Sequence, residues 1–209
     1  MTIRVKVIIC VICFLLPAIR ASAQGTDWEF VDKDLLPMDY EALFAANQDD
    51  VTAISESSER LELPGPVIVM RIKDRDVWQY LGLDQSEYGA VGCLLRILYS
   101  IDSIATNCSN ILDDAQRATL ETSLRKLQNF YAENTFPPVS SEALHAALVK
   151  RRAAGLSAHP YQPRSCKESD LGGPDSASFV VALLDSLAEG SLLDRTLATP
   201  RLPVTNPCL

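Results

Sequence analysis

Apolar residues return at helical spacing in four stretches of the chain. Over 88–105, Val91, Leu94, Leu98, Ile101 and Ala105 share one face, which predicts a long helix capped by Asp84 or Ser86. Over 113–136 the stripe is Leu120, Leu124, Leu127 and Tyr131. Asp113 with Gln116 three residues on reads as a capping box, Glu121 and Arg125 sit one turn apart on the wet side, and Pro137-Pro138 stops the helix. A third helix starts at Ser140 or Ser141, with Glu142 in its first turn, Lys150-Arg151-Arg152 in its last and Gly155 as its C-cap. That charge order suits the helix dipole. The fourth opens at Asp175 and runs through Phe179, Val180, Leu183, Leu184 and Leu187 to Gly190, with Leu192 and Leu193 in a further turn.

The first third is less regular. Trp28 and Phe30 sit in a polar arm, and Pro37 opens a short helix through Met38, Tyr40, Leu43 and Phe44. A second short helix through Val51, Ile54 and Leu61 competes with a loop at the Ser-Glu-rich 55–59, and Pro64-Gly65-Pro66 is a firm break. The run Val67-Ile68-Val69-Met70-Arg71-Ile72 has β character, yet no second strand is evident to pair with it, and 76–81 reads as a turn of helix stopped by Gly82. The loop 158–174 is rich in Pro, Ser and Gly, and no internal repeat occurs. The expected fold is therefore all-α: one domain with a bundle of four or more helices and a short β segment.

The first 23 residues stand apart. Arg4 and Lys6 precede an apolar run of about 13 residues, against the roughly 20 that a membrane span needs. Ala21-Ser22-Ala23 supplies the small residues that a signal peptidase requires, so 1–23 reads as a cleaved signal peptide and 24–209 as the secreted, extracellular domain. The formal charge of -8 becomes -11 once Arg4, Lys6 and Arg20 leave with no acidic residue. An acidic chain of this kind excludes a basic nucleic-acid binder, and no later segment is apolar for long enough to span a membrane.

Cleavage also leaves four cysteines, Cys93, Cys108, Cys166 and Cys208, and an oxidising route makes them disulfide partners. A continuous helix puts Cys93 and Cys108 about 22 Å apart, beyond the roughly 7 Å that a disulfide spans. Each then reaches one of Cys166 and Cys208, in either order, and the proline-rich tail from 198 onward is anchored to the body. No CxxC or CxxH spacing supports zinc, and no cofactor is implied.

Candidate chemistry is sparse. His145 and His159, with Lys150 or Lys167, are the groups that could run acid–base cleavage, but a helix flank and a Pro-flanked loop explain them without catalysis. Asp113-Asp114 fits a helix N-terminus. Lys150-Arg151-Arg152 has the form of a proprotein-convertase site, opposed by its place in a capped helix end. Asn107-Cys108-Ser109 is a glycosylation sequon, and Arg164 beside Cys166 has the form of an inhibitor loop. The residues thus predict a secreted, non-enzymatic helical protein that binds another extracellular protein, as in signalling. The alternative is a carrier of a small hydrophobic ligand, followed by a secreted hydrolase or protease inhibitor.

Overall fold

The computed structural model describes residues 35–108, 111–153, 174–188 and 191–208. The expected signal peptide, His159, Arg164, Cys166 and Lys167 lie outside them, as does Ser109 of the sequon. Asp39 caps α1 (Tyr40–Ala46), its carboxylate accepting the Ala42 N–H at 2.8 Å. A 3-10 turn at Gln48–Asp50 then leads into four strands, β1 (Val51–Ser55), β2 (Ser58–Glu62), β3 (Val67–Asp74) and β4 (Val77–Asp84). They form an antiparallel meander in chain order.

This sheet overturns the all-α bundle. The stretch read as a short helix or loop around Val51, Ile54 and Leu61 is β1 and β2, and the supposed helical turn at 76–81 is most of β4. The physical reason is that the strands carry apolar residues on both faces, which hides the period of two. Val51, Leu61, Val69 and Gly82 stand in one row across the sheet, facing inward, while Arg60, Met70 and Leu81 stand in the next row, facing outward. The two-residue turns of the β1–β2 and β3–β4 hairpins do not announce themselves either. Glu56-Ser57 and Arg75-Asp76 lack the Asn-Gly or Gly residues that favour two-residue turns, and Arg75 itself takes the left-handed conformation at φ 58°.

The helices follow as α2 (Val91–Asn107), α3 (Asp114–Asn134), α4 (Ser141–Ala153), α5 (Pro174–Ala188) and α6 (Ser191–Thr196). The capping box of α3 is present in full, with Gln116 N–H on Asp113 and Asp113 N–H on the Gln116 side chain. The long helix α2 is the hinge of the architecture because it faces two cores. Leu94, Leu95, Leu98 and Tyr99 join the helical core with Leu124, Leu127, Leu148 and Leu184. Cys93 joins the sheet core with Phe44, Leu61, Val69 and Val204. Its N-cap is Ala90, without a side-chain cap. Asp84, expected in that role, is recruited elsewhere.

The C-terminal residues 197–208 form a strap whose centre, 201–204, is buried where it is threaded between β4 and α2. Gly92 N–H donates to the Val204 carbonyl at 3.0 Å, and Asp84 N–H donates to the Asn206 carbonyl at 2.7 Å. A Cβ at Gly82 would overlap Val204, and one at Gly92 would overlap the carbonyls of Pro203 and Val204, so both positions must stay bare for the strap to pass. Arg201 is buried with Asp84: Nε donates to Oδ2 at 2.6 Å, Nη1 to the Thr196 carbonyl at 2.7 Å and Nη2 to the Gly89 carbonyl at 3.3 Å. A buried charge pair stays favourable only when its remaining hydrogen bonds are met, as they are here. Cys93 bridges to Cys208 with Cα atoms 5.2 Å apart, closing a separation of 115 residues. By loop-entropy arguments such a closure stabilises by about 4–5 kcal/mol. Of the two expected cross-links, this one lies wholly among the described residues. Cys108 is also disulfide-bonded.

Candidate functional site

The sheet has two faces with different fates. Its inner face packs against α1 and the strap. Tyr80 stacks on Tyr40 with ring centroids 5.6 Å apart, and burial pushes the Tyr40 hydroxyl up to about 12. Farther along, the Arg71 guanidinium lies between the Phe44 and Trp78 rings, 4.5 and 4.6 Å from their centroids, and donates through Nε to Glu59 at 2.6 Å. Glu41, Gln48, Val51 and Ala53 complete a cleft of about 420 Å³ beside it. The outer face presents Ile72, Val77 and Leu81, which are 44%, 62% and 39% exposed, with Met70 half-buried among them. Large apolar groups grouped on one exposed face call for an explanation, where single ones do not.

The two edges differ as well. β1 is five residues long, and its register slips between Ala53 and Ser55, so the bulge blunts it as a template for pairing. β4 keeps an unbroken register over eight residues, Asp74↔Val77 through Val67↔Asp84. Asp84 N–H points away from β3 toward Asn206, and in an antiparallel strand every second residue repeats that direction. The backbone groups of Gly82, Tyr80 and Trp78 therefore face outward too. Among the described residues, the strap pairs with this edge at Leu83 and Asp84 and packs Val204 over Gly82.

A second charged cluster joins three helices. Arg152 on α4 donates to Asp102 on α2 through Nη2 at 2.6 Å and Nε at 3.0 Å, and to Glu121 on α3 at 2.8 Å. The Asp102 side chain is 7% exposed and that of Glu121 41%. The hydrogen bonds to Asp102 raise the Arg152 guanidinium further above its ordinary value, so it stays charged. Burial pushes the Glu121 carboxyl up, but the hydrogen bond and charge of Arg152, with His145 and Arg125, outweigh this and hold it below its usual range. The cluster borders a cleft of about 410 Å³ with Ala105, Thr106, Arg117 and Leu120.

The residues singled out by sequence are dispersed. His145 is half-buried on α4 near Glu121, and its suggested partner His159 lies outside the described residues. Lys150, Arg151 and Arg152 occupy the last turn of α4. Asn107 is exposed as the last residue of α2, its side-chain amide donating to the Ser103 carbonyl at 2.8 Å. Asp113 and Asp114 sit at the N-terminus of α3, as cap and first helical residue. Among the described residues, no group of three His, Cys, Asp or Glu side chains could hold a metal. Sequence reading missed Ile72, Val77 and Leu81. The signal that could have found them is the β-branched and aromatic content of Val77-Trp78-Gln79-Tyr80-Leu81, which a helical reading absorbs.

The fold and site define a small mixed α and β domain with one apolar sheet edge left open among the described residues. Comparison of the chain with protein-family models, curated proteins and solved structures finds no match. Among the described residues, no helix is long and apolar enough to cross a membrane.

Proposed function

We propose that the protein is secreted and acts without catalysis, by binding another extracellular protein along the β4 edge and the outer face beside it. The observation that carries this reading is the regular eight-residue β4, whose outward backbone groups lie next to exposed Val77 and Leu81. An extended segment of the partner adds to Val77–Leu81 as a fifth strand, on the part of the edge beyond the pairing that the strap makes at Leu83. Main-chain hydrogen bonds then supply affinity, and Ile72, Val77 and Leu81 select apolar side chains on the partner. The formal charge of -11 that remains once residues 1–23 are removed favours a partner whose strand is flanked by basic residues. An apolar small molecule is less well served, because the two clefts above are lined by Glu41, Glu59 and Arg71 or by Asp102, Glu121 and Arg152.

A photo-crosslinking residue at position 77, placed in the full chain as secreted, tests this reading against one at Phe179, which is 50% exposed on α5. Expected is one discrete adduct with an extracellular protein from position 77, absent from position 179 and lost in the Ile72→Thr/Leu81→Lys background. Equal adducts from both positions, none from either, or an adduct of twice the chain mass would overturn it.

A further inference from the structure

The basic run Lys150-Arg151-Arg152 is held at Arg152 by a clamp of acidic side chains from two neighbouring helices. Endoproteases that cut after paired basic residues bind their substrate as an extended strand, with the last arginine side chain inserted into an acidic pocket. In this chain the three residues are in the final turn of α4, which ends at Ala153. The Arg152 guanidinium is already held by two carboxylates, in a bidentate contact with Asp102 of α2 and a single one with Glu121 of α3. A protease therefore competes with three charge-assisted hydrogen bonds before it meets the backbone. The other adjacent basic pair, Arg125-Lys126, lies in the middle of α3, with helix on both sides. Helix ends fray at far lower cost than helix middles, so the two sites differ in kind.

We propose that Lys150-Arg151-Arg152 is a latent processing site of the secreted chain, kept shut by the Asp102–Arg152–Glu121 clamp and cut when the end of α4 is released. The cut is a hydrolysis: water adds across the Arg152–Ala153 peptide bond, leaving a carboxylate on Arg152 and an ammonium on Ala153. The sheet half stays joined to the C-terminal strap, because Cys93 and Cys208 lie on opposite sides of the cut. The new carboxylate puts a negative charge on the very residue that the two acids hold, which disfavours the clamp from re-forming. Processing is thereby one-way, and it frees the end of α4 beside the cleft lined by Ala105, Thr106, Arg117 and Leu120.

The test is digestion of the folded, full secreted chain with a kexin-type endoprotease, with the cut bond located by mass and the fold followed by circular dichroism. When opening and closing are faster than cleavage, the rate reports the population of the open end. Expected is slow cutting of the wild-type chain and a single cut at Arg152–Ala153 at least ten-fold faster in Asp102→Asn. Glu121→Gln should fall between them. The non-reduced product keeps its mass apart from one added water, and reduction separates it into two pieces. Should Asp102→Asn fail to fold, Glu121→Gln decides, with about a two-fold increase expected at the same bond. Equal rates in the wild-type and folded variant chains, or first cutting at Arg125-Lys126, would overturn the proposal.

Discussion

The two faces of the sheet are made from alternate residues of the same strands, yet they meet different surroundings. Inward, Leu61 and Val69 are wholly buried and pack with Phe44 and Val204. Outward, Ile72, Val77 and Leu81 stay exposed while being just as apolar. Burial of the inner set stabilises the fold at about 25 cal/mol per Å² removed from water. The outer set contributes little of that kind in the isolated chain. The edges repeat the contrast, since β1 is short and bulged whereas β4 is long and regular. Apolar groups that do not stabilise the fold, placed beside backbone left unpaired among the described residues, are what a binding surface requires and what a fold alone does not.

The sharpest break in this comparison lies where the strap enters the inner side. Asp84→Ala strips the buried Arg201 of its counter-ion and is expected to destabilise by about 3–5 kcal/mol, read as a lower denaturant midpoint. Next comes a matched pair across the faces. Leu61→Ala, at a wholly buried site, should cost about 2–5 kcal/mol, whereas Leu81→Ala on the outer face should cost less than about 1 kcal/mol. Equal costs would mean that the two faces do the same work. At the tip of the β3–β4 hairpin, Arg75→Gly removes the penalty of a left-handed non-glycine residue and should raise stability by about 1 kcal/mol.

The smallest effect concerns the helical half, away from both faces. Glu121 titrates lower in the folded chain than in the unfolded one, so its stabilisation is present above the unfolded carboxylate pKa of about 4.3 and is lost as pH falls through the folded value. The wild-type chain should be more stable than Glu121→Gln at neutral pH, read as a higher melting temperature, with the free-energy difference limited to about a few tenths of a kcal/mol through solvent screening. The difference should shrink as pH falls below the unfolded value and vanish once pH lies below the folded one.

Much of the helical half is legible from sequence. The stripe Leu120, Leu124, Leu127 and Tyr131 and the box Asp113/Gln116 mark α3, and the apolar positions of α2 are those that meet the helical core. The geometry that keeps Cys93 from Cys108 also follows from helix rise alone. The sheet is not legible in the same way. Leu61 and Val69 recur with Val51 only once the register is known, because pairing between strands is a non-local property that no window of one strand contains. Asp84 reads locally as a cap, and only the arrival of Arg201 from 117 residues away gives it its partner. The open edge is hidden for the same reason, since whether Val77 and Leu81 are covered depends on elements distant in the chain.

The most direct measurement is the affinity of the crosslinked partner for three chains: wild type, Ile72→Thr/Leu81→Lys, and Phe179→Thr, each with its melting temperature. Threonine keeps strand propensity, and an edge lysine opposes strand addition, so the double variant should melt within about 2–4 °C of wild type. Binding should weaken at least ten-fold in the double variant and stay unchanged in Phe179→Thr. Equal affinity in all three folded chains would contradict a binding role for the β4 edge.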